Sequence, residues 1–440
     1  MNTLALRTAL APPFLLGVAT SAFQIEGAVD ADGRGRSIWD DFCHTPGKIR
    51  DGSNANRACD HYHWMEGDVA LLHWLGVDAY RFSIAWPRVM PRGTGLVNAK
   101  GLDFYDRLVD ALLEKGIRPC ATLYHWDLPS ALPGGWLSRD TAAAFADYAV
   151  TCGRRLGDRV ALWMTHNEPW CQAFLGYEQG VFAPGQTDIR RALLAAHHLL
   201  LSAGLATSAL RADVSAPIGI ALNFMPAHPY SDDPDDLAAA RRQDAYFNRW
   251  FLEPVTRGTY PADLAAFFGA RMPAIPDGDM ALIGTKIDFM GVNYYERCMV
   301  RASKNGVLQR DLVTPPGPRT ADREIYPEGL YDVLERLHRE YGIARLIVTE
   351  NGAAFDDVPD AEGFVDDAGR TAFLRAHLEQ IVRALAMGIP VNAFFAWSLL
   401  DNFEWNEGYR LRYGIVRTEY ETGRRIPKAS ARFLRSLRRD

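Results

Sequence analysis

Eight short apolar runs recur along this 440-residue chain, and each is followed by a longer stretch with helical spacing. Short buried strands that alternate with helices are typical of a parallel sheet, and eight such units can close into a barrel. No linker, low-complexity segment or short repeat interrupts the alternation. The pattern therefore predicts an α/β fold, a single-domain (β/α)8 TIM barrel with extended βα loops over residues 1–440.

The bounds of the predicted elements follow from where each apolar run and each helical period stops. The eight strands are predicted at residues 14–23, 77–84, 118–124, 160–165, 217–223, 287–293, 346–349 and 391–397. The best-defined helices are predicted at residues 102–115, 141–156, 189–211, 328–341 and 370–387.

Composition excludes several classes of protein. The 48 basic and 54 acidic side chains give a net charge of −6, which offers no attraction to nucleic acid or anionic lipid. No run of about 18 apolar residues suggests a membrane span, and Arg7 interrupts the apolar N-terminus before a signal sequence develops. Six widely spaced cysteines indicate reduced thiols. We expect a soluble cytoplasmic protein without a nucleic-acid or membrane partner; the oligomeric state stays open.

Polar side chains cluster where the predicted strands end. Because the carboxyl ends of barrel strands converge on one face, residues far apart in sequence become neighbours there. In chain order these residues are Gln24, Glu26, His125, Trp126, Asn167, Glu168, Asn293, Tyr295, Glu350, Asn351 and Trp397. The sequence therefore predicts a single site at this face.

Two carboxylates in this ring, Glu168 and Glu350, suggest the chemistry. A single glutamate after a strand is usually a surface or capping residue. Two carboxylic acids that face each other across a sugar can cleave a glycosidic bond, since one donates a proton and the other attacks or activates water. The pair, with amide, imidazole and indole groups around it, favours a glycosidase.

The chain resembles the family 1 glycoside hydrolases, the β-glucosidase family, in order from Phe14 to about Leu437. The segments that carry the resemblance are GVATSAFQIEG, YRFSIAWPR, LYHWDLP, THNEP, DFMGVNYY, TENG and WSLLDNFEW. The resemblance implies a retaining β-glucosidase that acts on the non-reducing end of cello-oligosaccharides or aryl β-glucosides. It also implies a cis peptide bond between Trp397 and Ser398.

The resemblance assigns the catalytic roles. Glu168 is expected to be the general acid/base and Glu350 the nucleophile of a double displacement. Arg81 and the Tyr295 hydroxyl are expected to keep Glu350 ionised, and Asn293 belongs to the same catalytic set. The family requires no cofactor or metal. The spacing of Cys59, His61 and His63 is not a zinc signature, so none is predicted.

The resemblance also supplies the substrate contacts for a small β-glycoside. Asn167 is expected to bind the sugar 2-hydroxyl, a contact that tightens in the transition state. The other expected groups are hydroxyl-binding side chains and flat aromatic surfaces: Gln24, His125, Glu404, Trp126, Trp170, Trp397, Trp405 and Tyr413. Trp39 stays unassigned.

Three residues depart from the family pattern. His166 stands where the family usually has Phe, and it either alters Glu168 or faces away and fills space. Arg323 replaces a Trp at the aglycone entrance, which changes the leaving groups that bind well. Tyr413 stands in place of Phe and adds a hydroxyl near the glycone.

Two other functions remain open at this point. A broad β-glycosidase of the same family would prefer β-galactosides or β-fucosides, because Glu404 can bond the 4- and 6-hydroxyls of several sugars. A non-catalytic sugar-binding protein could use the same barrel. Such a protein is expected to have lost a catalytic carboxylate, and here both Glu168 and Glu350 are present.

Overall fold

Eight parallel strands close into a barrel in the computed structural model, which describes residues 1–438. Each strand pairs with its neighbours in sequence, and the eighth pairs with the first. The strands are Leu15–Ala19, Ala79–Ser83, Arg118–Tyr124, Leu162–Asn167, Ile218–Phe224, Phe289–Tyr294, Leu346–Asn351 and Val391–Trp397. The predicted (β/α)8 barrel is confirmed.

The first strand is the one predicted element that was clearly too long. It ends at Ala19 and not at residue 23, because Ala22–Ile25 forms a helical turn. The amide of Ala22 donates to Ser83 Oγ at 2.7 Å, which bends the chain away from the sheet. The fourth and seventh strands each extend two residues beyond prediction, so they include Asn167, Glu350 and Asn351.

Helices between the strands form the outer layer. All five predicted helices are present, and their observed ends differ from the predicted ends by at most three residues. The largest difference is at the start of Ala99–Glu114, which was predicted at residue 102. The longer helices are His61–Leu75, Ala99–Glu114, Asp140–Leu156, Ile189–Leu210, Pro234–Asp244, Trp250–Arg257, Glu328–Arg339, Ala368–Ala386 and Ala429–Ser436. The main hydrophobic core lies between these helices and the barrel wall.

The inside of the barrel is packed with side chains. Phe395 of the eighth strand lies against Gly17 of the first, where an added Cβ would stand 2.6 Å from the Phe395 ring. Phe289, Leu162 and Ile347 belong to the same interior cluster. A small residue opposite a large one is how a closed barrel fills its interior.

Helix Ile189–Leu210 is apolar enough to cross a membrane, with a mean hydropathy of 1.5 in its most apolar window. However, 78% of that window is buried inside the protein. The helix packs along Asp140–Leu156. It is therefore described as a core helix of the barrel wall.

Extended loops follow several strands and build the walls of the carboxyl-end face. Short helices also occur at Thr3–Ala9, Ile38–Cys43, Trp86–Val89, Ala262–Phe268 and Asp279–Ile283. A three-stranded sheet combines Ala227–Pro229, Cys298–Ala302 and Arg310–Val313, which come from the loops after the fifth and sixth strands. A hairpin of Val416–Thr418 and Arg425–Pro427 follows the eighth strand.

A buried ion-pair network holds the loop after the eighth strand. Lys428 is fully buried, and its ammonium group donates to Asp401 at 2.7 Å, to the Gly414 carbonyl at 2.6 Å and to Asp357. Burial lowers the pKa of Lys428, and the two carboxylates oppose this. Since Asp401 lies in the segment between the eighth strand and Glu404, the network fixes part of the predicted site.

Replacing Lys428 by Met should destabilise the protein by about 3 kcal/mol, because buried carboxylates lose a charge partner. Arg154→Met is a suitable control, since Arg154 is exposed and its pair with Asp213 spans 3.4 Å. The free energy of unfolding, measured by denaturant titration, should change by less than about 0.5 kcal/mol in the control. Equal effects of the two substitutions would contradict a stabilising role for the network.

Candidate active site

A cavity of about 200 Å³ opens at the carboxyl ends of the strands. Both predicted catalytic carboxylates line it. The other predicted residues on its wall are Asn293, Tyr295, His125, Trp126, Trp170, Trp397, Glu404, Trp405 and Tyr413. Gln24, Arg81 and Asn167 are fully buried and lie beneath this wall. The structure thus gathers the predicted catalytic and substrate-binding residues at one face, whereas Asn351, also noted at a strand end, is outside the cavity lining and donates to the Tyr294 carbonyl.

Glu350 is aimed into the cavity by an irregularity in the seventh strand. The register with the sixth strand shifts between Val348 and Glu350, and such bulges redirect side chains. Glu350 Oε1 accepts a hydrogen bond from Arg81 at 2.6 Å, and Oε2 accepts one from the Tyr295 hydroxyl at 2.8 Å. The carboxylate is therefore held at both oxygens.

Gly352 explains how the seventh strand can pass so close to the eighth at this point. A Cβ on Gly352 would stand 1.7 Å from the Trp397 carbonyl oxygen, so no other residue fits. The bond from Trp397 to Ser398 is cis, as predicted. The close packing brings Glu350 and Trp397 to the same cavity.

Glu168 is positioned differently from Glu350. It follows the fourth strand with a φ of 42°, in the left-handed region that few residues other than glycine adopt. Its Oε1 accepts a hydrogen bond from Asn293 at 2.9 Å, and its Oε2 accepts one from the Cys171 thiol at 3.1 Å. Both donors are neutral.

A network of amides joins the two carboxylates. Asn293 Nδ2 donates to Glu168 and also to Asn167 Oδ1 at 2.9 Å. Asn167 Oδ1 accepts a second hydrogen bond, from Arg81 at 2.7 Å, and Arg81 also binds Glu350. Thr349 fixes the orientation of the Asn293 amide by donating to its Oδ1 at 2.6 Å.

The electrostatic surroundings of Glu350 combine opposing effects. Burial raises the pKa of Glu350 to about 7, although the charge of Arg81 opposes the rise. Repulsion from Glu168 adds to it, and the hydrogen bond from Tyr295 lowers it. Ionisation of Glu350 thus depends on Arg81 and Tyr295, the two residues predicted to supply it.

The imidazole of His125 is neutral. Burial and the charge of Arg81 lower the pKa of His125 well below its usual value. Its Nε2 accepts from Asn167 Nδ2 at 3.0 Å, which places the proton on Nδ1. The ring lies parallel to both Trp397 and Trp405, with centroids 5.7 and 5.9 Å away.

Glu404 is a carboxyl group on the cavity wall. Burial raises its pKa to about 8, with Arg323 opposing, so the group is mostly protonated near neutral pH. Gln24 donates to Glu404 Oε2 at 3.2 Å. A protonated carboxyl both donates and accepts hydrogen bonds, as recognition of sugar hydroxyls requires.

Aromatic rings form much of the cavity wall. Trp405 packs against Trp126 with centroids 4.4 Å apart, and Trp39 lies behind it at 4.6 Å. Trp39 is fully buried, so it supports the wall without lining it. Trp170 and Phe247 also line the cavity and pack on each other, with ring centroids 4.4 Å apart.

His166, the first departure, faces away from the cavity. Its Nε2 lies 3.0 Å from Ser202 Oγ on the helix Ile189–Leu210, and its ring packs against Phe145. Burial lowers the pKa of His166 to about 3, so it is a neutral residue of the barrel wall. The alternative in which it faces away is the one observed.

Arg323 and Tyr413, the other departures, contact each other at the cavity. Arg323 Nε donates to the Tyr413 hydroxyl at 3.0 Å, and that hydroxyl donates to Asp322 at 2.5 Å. The guanidinium group lies over the Tyr295 ring, 4.6 Å from its centroid. The added hydroxyl of Tyr413 is therefore engaged by protein groups.

Several residues at the cavity were not predicted. They include Cys171, Phe182, Asn223, Phe247 and Glu296. Asn223 ends a predicted strand, a signal that could have identified it; the others lie on loops and short helices. Glu26, noted at the end of the first run, instead pairs with the buried Arg88 at 2.9 Å.

No cluster of three or more metal-ligating side chains occurs within residues 1–438. His61 is hydrogen-bonded to Asp68 at 2.8 Å, and His63 pairs with Asp60. The six cysteines are all free thiols.

Two buried carboxylates in an aromatic cavity on a parallel barrel define the class of the barrel glycosidases. Comparison with known proteins identifies the branch. Residues 7–440 match the family described as Glycosyl hydrolase family 1, so the chain belongs to that family.

Known proteins are similar to this chain over almost its whole length. Beta-glucosidase A of Thermotoga maritima is 46% identical over 95% of this chain and 95% of its own. The 1,4-beta-D-glucan glucohydrolase of Thermotoga neapolitana is also 46% identical, with the same coverage of both chains. The solved T. maritima family 1 β-glucosidase in complex with isofagomine lactam superimposes with a TM-score of 0.94, at 45% identity over 97% of this chain and 98% of that one.

Tyr295→Phe should move the acid limb of the kcat/KM profile upward by about one pH unit. The hydroxyl stabilises ionised Glu350 and so lowers its pKa; without it, the group expected to attack stays protonated to higher pH. The profile is measured with an aryl β-glucoside. Tyr294→Phe is the control, because the Tyr294 hydroxyl donates to the Tyr326 carbonyl. An unmoved acid limb in Tyr295→Phe would contradict the interpretation.

Proposed function

We propose that the protein is a retaining β-glucosidase that hydrolyses terminal non-reducing β-D-glucosyl residues of cello-oligosaccharides or aryl β-glucosides. The unequal surroundings of the two carboxylates carry the proposal. Glu350 has a cationic partner, Arg81, whereas Glu168 accepts only from neutral donors. The names of the two Thermotoga relatives support the choice of substrate.

In the first half-reaction, Glu350 attacks the anomeric carbon and forms a covalent glycosyl ester. Glu168 gives its proton to the leaving oxygen as the glycosidic bond breaks. Arg81 and Tyr295 favour the ionised form of Glu350 and orient it before the attack. The two hydrogen-bond donors of Glu168, Asn293 and Cys171, are neutral, so neither places a positive charge beside it.

In the second half-reaction, water hydrolyses the ester. Once Glu350 is esterified its negative charge is gone, and its repulsion of Glu168 disappears. Glu168 then acts as the base that takes a proton from water, and the oxygen attacks the same carbon from the side that the leaving group occupied. Two displacements retain the configuration.

Recognition of the glycone rests on neutral and protonated groups. Glu404, His125 and the indoles of Trp397 and Trp405 line the cavity, and the His125 ring packs against both indoles. Hydrogen bonds to hydroxyls combined with a flat apolar surface suit an uncharged pyranose. Asn167 and Gln24 lie beneath the cavity wall, and they bind His125 and Glu404, respectively. We propose that they orient these two side chains and also contact the sugar through gaps in the wall.

We also propose a cytoplasmic location. Six free thiols, five of them buried, suit a reducing compartment.

Removing each carboxylate should have a different consequence. Glu350→Ala should lose at least about a thousandfold in kcat, and azide should partly restore turnover and give the α-glucosyl azide. Glu168→Ala should still cleave 2,4-dinitrophenyl β-glucoside, whose leaving group needs no proton, and azide should give the β-azide. NMR of the products measures this. Exchange of the two product configurations would reverse the assignment, and full activity of either variant would refute it.

Glu404→Ala should lower kcat/KM for p-nitrophenyl β-glucoside by roughly 10- to 100-fold, because hydrogen bonds to the glycone are lost. The loss should be smaller for the β-fucoside, which lacks a 6-hydroxyl. The unaltered protein should prefer the glucoside to the galactoside and fucoside. A clear preference for the galactoside would instead favour the broad β-glycosidase.

A further inference from the structure

We propose that Cys171 is a positioning residue for the acid/base carboxylate, and that its thiol orients Glu168 for proton transfer. The inference rests on the proposed function, because it assumes that Glu168 is the acid/base. Cys171 Sγ lies 3.1 Å from Glu168 Oε2, and both residues line the cavity.

The backbone of Glu168 does not by itself dictate where the carboxyl group points. Its φ of 42° lies outside the regular strand geometry that precedes it. Two donors define the carboxyl plane: Asn293 binds one oxygen from the sixth strand, and Cys171 binds the other from the loop after the fourth. If one donor is lost, the carboxyl group can rotate.

Cys171 is itself held in place. Its amide donates to the Glu168 carbonyl at 2.9 Å, and it begins the π-helical turn Cys171–Leu175. Turns of this kind are frequent at functional sites. Asn223 Nδ2 lies 3.9 Å from the thiol and donates to it. The thiol is thus fixed between the end of the fifth strand and the carboxyl group.

The thiol keeps its proton and remains a donor. Burial, and then the nearby Glu168, raise the pKa of Cys171 well above its usual value. A thiol is a weak donor, so it orients a carboxyl group while favouring the ionised form less than a hydroxyl would. That suits a residue that must donate a proton in the first half-reaction and accept one from water in the second.

Other charged and titratable groups also face this pair. Glu350 and Tyr295 approach from the seventh and sixth strands, and Arg323 approaches from the loop after the sixth. None of them donates to Glu168 Oε2. None of them is hydrogen-bonded to Cys171, so a substitution there removes no hydrogen bond from Glu350, Tyr295 or Arg323.

Cys171→Ala should reduce kcat/KM for cellobiose by about tenfold, since a misplaced acid protonates a poor leaving group badly. The 2,4-dinitrophenyl β-glucoside, which needs no proton, should be cleaved within about twofold of the unaltered rate. Equal losses on both substrates would show that Cys171 only supports packing, and no loss on either would show that it has no role.

The pH profile separates hydrogen bonding from volume. In Cys171→Ser a stronger donor favours the ionised carboxyl group, so the basic limb of kcat/KM should move to lower pH. In Cys171→Ala and Cys171→Val the basic limb should move to higher pH, although the two side chains differ in volume, because neither donates a hydrogen bond. A shift of the basic limb in the same direction in Cys171→Ser and Cys171→Ala would overturn the proposal.

Cys152→Ala is the matched control. Cys152 is fully buried in the helix Asp140–Leu156, so the same chemical change is made away from the cavity, and both readouts should stay unchanged. Glu168→Ala separates the two hypotheses. If the activity of Glu168→Ala does not depend on the leaving group, the proposed function fails. If the activity of Glu168→Ala does depend on the leaving group but that of the Cys171 variants does not, only the present inference fails.

Discussion

The buried pair of Arg81 and Glu350 is the interaction on which the carboxyl-end face depends. Arg81 is fully buried, and its guanidinium group binds Glu350, the Thr349 carbonyl and Asn167, so it joins the second, fourth and seventh strands. A buried charge without its partner is strongly destabilising. Each ion is therefore retained only with the other, and Asn167, which accepts from both Arg81 and Asn293, connects this pair to the amide that binds Glu168.

The difference between the two carboxylates follows from that arrangement. Glu350 lies on the side of the network that contains the cation, whereas Glu168 lies beyond Asn293 and contacts a thiol. Two carboxyl groups in different environments can hold different protonation states at one pH. The barrel provides this difference by placing the cation Arg81 of the second strand beside Glu350, and the neutral Asn293 and Cys171 beside Glu168.

The rest of the cavity depends on loops that are fixed at a distance. Lys428 holds Asp401, and the segment that continues from it carries Glu404 and Trp405. Arg323, from the segment after the sixth strand, is tied to Tyr413, so two departures from the family pattern form one contact. The two departures belong together, because the Arg323 guanidinium group donates a hydrogen bond to the hydroxyl that Tyr413 adds.

Local patterns along the chain, the buried strands and the motifs at their ends, were enough to predict the barrel and to single out Glu168 and Glu350. Tertiary structure decided where those patterns end: Ala22–Ile25 turns away from the sheet because Ser83 accepts its first amide. It also decided that His166 faces outward and that Cys171 binds Glu168. The raised pKa of Glu404 likewise arises from burial. Such properties depend on groups distant in sequence, which only closure of the barrel and its loops brings together.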